Sequence, residues 1–339
     1  MTNFGVVGTS WITEEFIRCA SLTGEFCLQA VYSRKEEKAR AFADKYTTVK
    51  NFFTDLGAMA KSPLIDAVYI ASPNSFHAKQ AIIFMLQKKH VLCEKPIASN
   101  EKELSMMINI ANKNQVLLME AIKTTFLPNF LGIQESLPKL GKIRKILFNY
   151  CQYSSRYDAY KAGKHVNTFD LNFSNGSLMD IGIYCVYPII YLFGKPKKII
   201  ANAVMLDSGI DGTGSITLKY QDFEAIISHS KISNSYIPSE IQGEQGSMII
   251  DKISTPEEIK IMYRDGKTEE ITRKQSTDFM YYEAKEFIDL VKQNKRESTI
   301  NSWQLSLDVM NVLDAVRKII GLKFLTDEIK PIDEKTGLL

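Results

Sequence analysis

The stretch "FGVVGTSWITEEFIRCASLTGEFCLQAVY", residues 4–32, decides how the chain is organised. Phe4 to Val7 reads as a short buried strand, Thr13 to Ser21 as a helix, and Leu28 to Tyr32 as a second strand. A further helix is expected over Glu36 to Lys45, with Ala39, Phe42 and Ala43 on one face. This is a βαβ unit. Its first turn, Gly8-Thr9-Ser10-Trp11-Ile12-Thr13, stands where a Gly-x-Gly-x-x-Gly dinucleotide fingerprint would begin, and only Gly8 fits. The fingerprint's glycines close the turn, admit a pyrophosphate and let the helix approach the sheet. Ser10 is small enough to offer its N–H or hydroxyl at a helix N-terminus, where anions are favoured. Thr13 is bulkier than glycine and should hold the helix slightly away from the sheet. Taken alone, the stretch reads equally well as a plain turn or as a phosphate site.

The alternation continues. Ile65 to Ala71 is an apolar strand, Phe76 to Lys88 an amphipathic helix, His90 to Cys93 a strand and Glu101 to Asn112 a helix. Strands buried on both faces and separated by helices predict a parallel, doubly wound sheet. After about residue 145 the pattern changes. "GSITLKYQDFEAIISHSK" reads as two strands around Gln221-Asp222, and "EIKIMYRDGKTEEITRK" as a hairpin about Asp265-Gly266. An antiparallel sheet is therefore expected. Phe279, Tyr282, Phe287 and Leu290 follow one helical stripe, and Leu305, Val309, Val312 and Val316 another that stops at Gly321.

At 339 residues the chain is too long for one ordinary core, so two domains are expected. Its net charge of +3 is scattered rather than gathered into a stripe, which argues against nucleic acid and for a small-molecule partner. Cys19, Cys27, Cys93, Cys151 and Cys185 form no C-x-x-C pair, as suits reduced thiols in a cytoplasmic protein, and no metal site is expected. No secretory signal is visible. The longest uncharged run, Ile181 to Gly194, is shorter than the roughly 20 residues of a spanning helix and reads as a buried helix, so no membrane partner is expected.

The turn "VYSRKEE", residues 31–37, offers Ser33, Arg34 and Lys35 where an NAD site would carry Asp or Glu for the ribose. These residues suit a 2′-phosphate, or equally the solvated first turn of the next helix. Then come "VYIASPNSFHAKQA" at 68–81 and "HVLCEKPIA" at 90–98. With Asn74 and His77 after one strand, and Glu94-Lys95-Pro96 after the next, the chain resembles the glucose–fructose oxidoreductase / inositol dehydrogenase (Gfo/Idh/MocA-type) family. Gly5 and Gly8 retain that family's Gly-x-x-Gly, so the resemblance turns the opening stretch into a nucleotide site. It implies a Rossmann-type NAD(P)-binding domain over residues 1–121. Over residues 122–339 it implies a substrate-binding and oligomerisation α+β domain with a large, mostly antiparallel open sheet, entered through "MEAIKTTFLPNF" at 119–130. There Thr125 and Leu127 replace basic or imidazole side chains often found in the family, which makes the substrate less predictable.

The resemblance also implies roles. Gly8, Thr9, Ser10, Trp11, Ile12, Ser33, Arg34, Ala71, Ser72, Pro73, Asn74, His77, Glu94 and Lys95 are expected around the cofactor, which is NADP with NAD as the alternative. Lys95 precedes proline, which favours extended geometry at the carboxyl end of its strand. In "GSLMDIGIYCVYPIIYLFG", residues 176–194, Asp180, Gly182 and Tyr184 resemble the dihydrodiol dehydrogenase-like branch, in which tyrosine transfers the proton. Spaced four apart, Asp180 and Tyr184 are expected on one helical face. A tyrosine pKa near 10 requires a neighbouring ammonium such as Lys95 for efficient proton transfer at neutral pH. The polar, flexible-looking run at 154–177 supplies Arg156, His165 and Asn167 for a sugar-like or polyol substrate. The expectation is an NADP-dependent oxidoreductase acting on a hydroxyl-bearing carbon of a sugar, cyclitol or dihydrodiol, assembled as a homodimer or higher homo-oligomer. The alternatives are a non-catalytic NADP-binding regulator or scaffold and, more weakly, a hydrolase or lyase that uses nicotinamide transiently.

Overall fold

The apolar run that opens the chain is strand β1 (Thr2–Val7), with Phe4 and Val6 completely buried. The structure is a computed structural model and describes residues 1–49 and 51–328. These residues form two compact units, one built from Met1–Ile122 and Asp278–Gln304, the other from Lys123–Thr277 and Leu305–Asp327.

In the first unit β1 is followed by α1 (Trp11–Ser21), β2 (Phe26–Tyr32), α2 (Glu36–Ala43), β3 (Asn51–Phe53), α3 (Leu56–Lys61) and β4 (Ala67–Ile70). Next come α4 (His77–Leu86), β5 (His90–Glu94), α5 (Glu101–Asn114) and β6 (Leu118–Ala121). The strands pair in parallel in the order β3-β2-β1-β4-β5-β6. Chain progression reverses between β1 and β4, the switch point outside which open α/β sheets bind their ligands. The helices bury apolar stripes against this sheet. Phe16 of α1 stacks on Tyr69 of β4, with ring centroids 3.8 Å apart and planes 9° from parallel.

The second unit contains α6 (Pro128–Ser136), β7 (Ile143–Cys151) and α7 (Tyr157–Lys161), then a π-helical turn (Leu178–Gly182) running into α8 (Ile183–Phe193). Seven strands follow: β8 (Lys198–Met205), β9 (Asp211–Lys219), β10 (Glu224–Ser230), β11 (Ser239–Gly243), β12 (Gly246–Ile250), β13 (Ile259–Tyr263) and β14 (Thr268–Glu270). Their sheet runs β14-β13-β12-β11-β7-β10-β9-β8. It is antiparallel except that β10 pairs in parallel with β7. Alternation sends Ile146, Phe148, Ile216, Leu218, Ile227 and Ile241 into the core, where α8 packs. The opposite face exposes Ile200, Val204 and Met262. The run Leu171–Phe193 has the length and apolar character of a membrane span, yet 72% of its most apolar window is buried within the protein.

Helix α9 (Met280–Lys292) belongs to the first unit. Phe287 lies 5.7 Å from Phe4, Arg18 pairs with Asp278 at 2.7 Å, and the Trp303 indole N–H donates to the carbonyl of Leu118 at 3.0 Å. Helix α10 (Trp303–Ile320) buries Val309, Val312 and Val316 and ends at Gly321 with φ +77°. The uninterrupted second segment expected over 122–339 is thus broken at 278–304, because the apolar face of α9 is spent on β1 and α1.

Candidate functional site

Gly8 ends β1 at φ +107°, and a Cβ there would lie 2.7 Å from the carbonyl oxygen of Ala71. Glycine is required both by the backbone and by the approach of the turn after β4. Ser10 caps α1 in an extended conformation without a side-chain capping bond, and its carbonyl accepts from Thr13 and Glu14 at 3.0 and 3.3 Å. The N–H groups of Trp11 and Ile12 precede these bonds, at the positive end of the helix. Thr9, Ser10 and Ile12 are partly exposed, and Trp11 is 69% exposed. Thr13 is fully buried and its hydroxyl has no hydrogen-bond partner. A close-set glycine turn against a helix N-terminus fits a pyrophosphate.

Beyond β2 the Ser33 N–H donates to Phe53 at 3.1 Å, and exposed Arg34 lies over the Phe76 ring at 5.8 Å. Ala71, Ser72 and Pro73 are partly exposed, with the Ser72 hydroxyl donating to Gln80 at 2.7 Å, while Asn74 is buried. His77, expected to touch the cofactor, is instead completely buried. Its Nδ1 is 2.9 Å from the Pro96 carbonyl and its Nε2 is 2.8 Å from that of Ser72, so it sits between the turns after β4 and β5, its neutral ring donating to one of the two carbonyls. Burial pushes its pKa down. Glu94 is likewise a buried framework group, accepting from the Tyr69 hydroxyl at 2.6 Å and from the Lys95 N–H at 3.2 Å. Lys95 is partly exposed directly after β5.

In the second unit Asp180 lies on the π-helical turn and Tyr184 on α8. The wider π turn replaces the α-helical register assumed from their spacing, so four residues no longer guarantee a shared face. The Tyr184 ring meets Tyr150 edge-on at 5.8 Å, and Asp180 forms an ion pair with Lys231, just past β10. The segment expected to be flexible is ordered around Tyr153, Tyr157, Tyr160 and Phe169, whose rings lie 5.2–6.0 Å apart in successive contacts. Arg156 reaches the Thr168 hydroxyl at 3.4 Å, His165 pairs with Asp170, and Asn167 starts a 3-10 turn. Arg156 and His165 are exposed and Asn167 is partly buried.

Beneath the π turn lies a buried polar cluster. His229 Nδ1 is 2.8 Å from the Ser177 hydroxyl and 4.0 Å from the Asp211 carboxyl, which accepts the Leu178 N–H at 2.7 Å. Burial pushes His229 down to about 4 and Asp211 up to about 7. Gly176 has φ +119°, and a Cβ there would come within 2.1 Å of Asp211 Oδ1. Sequence reasoning missed Lys231, His229 and Asp211. For Lys231 and His229 the available signal was the polar run Ser228-His229-Ser230-Lys231 directly after the apolar Ala225-Ile226-Ile227.

Residues 2–122 match the oxidoreductase family with an NAD-binding Rossmann fold (GFO_IDH_MocA), and residues 138–249 match the GFO/IDH/MocA C-terminal domain. The chain is 50% identical to scyllo-inositol 2-dehydrogenase (NADP(+)) IolU of Bacillus subtilis, over 97% of this chain and 100% of that one. To trans-1,2-dihydrobenzene-1,2-diol dehydrogenase of Danio rerio it is 28% identical, over 88% and 90% of the two chains. Among solved structures it is similar to KijD10, a 3-ketoreductase from Actinomadura kijaniata in complex with NADP and TDP-benzene. The TM-score is 0.84 and the identity 19%, over 94% of this chain and 98% of that one, a likeness of fold.

Proposed function

Because the chain belongs to the GFO/IDH/MocA family of oxidoreductases and is an NADP-dependent enzyme acting on CH–OH groups, we propose that its substrate is a cyclitol of the inositol class. The observation that carries this reading is the 50% identity, over 97% of this chain and 100% of the other, with a relative named scyllo-inositol 2-dehydrogenase (NADP(+)). The nicotinamide supplies or accepts the hydride when bound. The protein must place the alcohol and manage one proton.

We assign Gly8, Thr9, Ser10, Trp11 and Ile12 to the pyrophosphate, at the N-terminus of α1. Ser33 and Arg34 take the 2′-phosphate, and Ala71, Ser72, Pro73 and Asn74 border the cofactor, with His77 and Glu94 holding the turns in place. Tyr184 exchanges the proton with the substrate hydroxyl, Lys95 supplies the ammonium that makes the tyrosine a usable base, and Asp180 orients the reacting groups. Arg156, His165 and Asn167 bind the remaining hydroxyls. All five cysteines are free thiols, which supports a cytoplasmic protein. The half-exposed Ile200, Val204 and Met262 on the second face of the large sheet support a homodimer.

The test is nicotinamide reduction with scyllo-inositol, other inositols, aldoses and a trans-dihydrodiol, each with NADP and with NAD. An inositol with NADP is expected to give the highest kcat/KM. Turnover confined to aldoses or to the diol would sink the cyclitol assignment, and no reduction with any compound would sink the dehydrogenase reading.

A further inference from the structure

We propose that Lys231 is a positioning residue of the active centre, its ammonium holding the Asp180 carboxylate in the orientation that the proton-transfer step uses. This rests on the roles given above to Asp180 and Tyr184. Lys231 follows β10, its side chain is only 11% exposed, and the carboxylate it pairs with lies 51 residues earlier on the π turn. Its own backbone is fixed on both sides. The Lys231 N–H donates to Gly212 at 2.9 Å, and its carbonyl accepts from Ser154 at 2.8 Å, where the polar segment carrying Arg156 begins.

Two supports therefore converge on Asp180. From below, the Ser177, His229 and Asp211 cluster fixes the π turn that carries it, and from the side the Lys231 ammonium fixes the carboxylate itself. The pair is a poor candidate for a purely structural device. Lys231 is largely out of water while the Asp180 side chain keeps 30% exposure, so desolvation offsets part of their attraction and solvent screens part of the rest, leaving little net stability. What the ammonium does secure is the orientation of the carboxylate, through a charge-assisted contact from one fixed direction.

The experiment is a double-mutant cycle in the full-length protein with NADP and an inositol, using Lys231→Met, Lys231→Arg, Asp180→Asn and the Lys231→Met/Asp180→Asn pair, with melting temperatures alongside. Met replaces the buried aliphatic stem without the charge. Lys231→Met is expected to melt within a few degrees of the native protein while kcat falls roughly 10–10²-fold, the scale of a slightly misplaced reacting group, with KM for NADP unchanged. Lys231→Arg should recover most of that loss. The double variant should be no slower than Asp180→Asn alone, because Lys231 acts through Asp180.

Losses that multiply in the double variant, or native kcat in Lys231→Met, would overturn the proposal and leave the dehydrogenase reading standing. If Lys231→Met does not fold, Lys231→Gln takes its place in the cycle, and failure of both to fold assigns Lys231 to the framework and overturns the proposal. A native protein that reduces nicotinamide with none of the compounds overturns the functional reading and this role with it.

Discussion

Arg34, in the turn after β2, holds its guanidinium 5.8 Å from the ring centre of Phe76, in the turn after β4. A cation over an aromatic face is held there by about 0.5–1 kcal/mol at an exposed site. The contact keeps the arginine near the strand ends where the cofactor's ribose is proposed to lie. Arg34→Ala should weaken NADP(H) roughly 10–10²-fold, the range of a charge-assisted hydrogen bond to phosphate, and leave NAD(H) almost unchanged. Dissociation constants from cofactor fluorescence check this; equal losses for both cofactors would remove Arg34 from the phosphate site.

Tyr184→Phe keeps the ring that packs edge-on against Tyr150 and removes only the hydroxyl. Fold and NADPH affinity should persist while turnover drops by roughly 10²–10⁴-fold, as for loss of a general acid–base group. Lys95→Met should do comparable damage. If the two residues serve one proton transfer, the double variant will be scarcely slower than the worse single one. Steady-state rates decide, and multiplying losses would mean separate steps.

Stability should depend on pH through Asp211. Folded Asp211 keeps its proton up to about pH 7, whereas the unfolded chain gives it up near 3.8, so between these values the folded state binds more protons and stability falls as pH rises. His229 works in the opposite sense. Held down to about 4 from 6.5, it stays neutral where the unfolded chain is protonated, so its contribution is full above 6.5 and is lost as pH falls towards 4. Asp211→Asn removes the first slope and retains an acceptor for the Leu178 N–H. Urea unfolding should therefore show the variant gaining on the native protein between pH 5 and pH 8. A difference that does not change with pH would contradict the proposed protonation.

Leu147, Ile200, Val204, Ile226, Ile249 and Met262 alternate onto the face of the large sheet opposite the core, and among them Ile200, Val204 and Met262 are about half exposed. A dimer mass is expected by light scattering at micromolar concentration, and Val204→Lys should shift the population towards monomer. A monomeric native protein would refute the assembly.

Much of this architecture was legible because burial is written as composition. The strands around Val6, Val31, Tyr69 and Leu92 are apolar on both faces, and Asp265-Gly266 marks its hairpin. Three-residue β3 and six-residue α3 are too short to show a period, and they were missed. The π turn was missed for a different reason, since Leu178-Met179-Asp180-Ile181-Gly182 has nothing in its residue types that separates a wide turn from an α-helical one. Lys231 and His229 reach the site only through strand pairing, so no spacing near Asp180 could reveal them. The stripe on α9 likewise reported that a face is buried, but not that Phe4 covers it.

The hydrogen bond from Trp303 to Leu118 spans 185 residues, and Trp303 closes the edge strand of the first sheet. During synthesis the nucleotide-binding unit must therefore stand incomplete while residues 123–277 of the second unit are made, a wait of roughly 10–40 s before Trp303 emerges at about 5–20 residues per second. Through that interval Phe4 lacks its cover from Phe287 and the carbonyl of Leu118 on β6 lacks its donor. The unit that appears first in the chain thus waits for α9 and Trp303 before it can close, and its half-built state is where a nascent copy is most exposed to pairing with its neighbours.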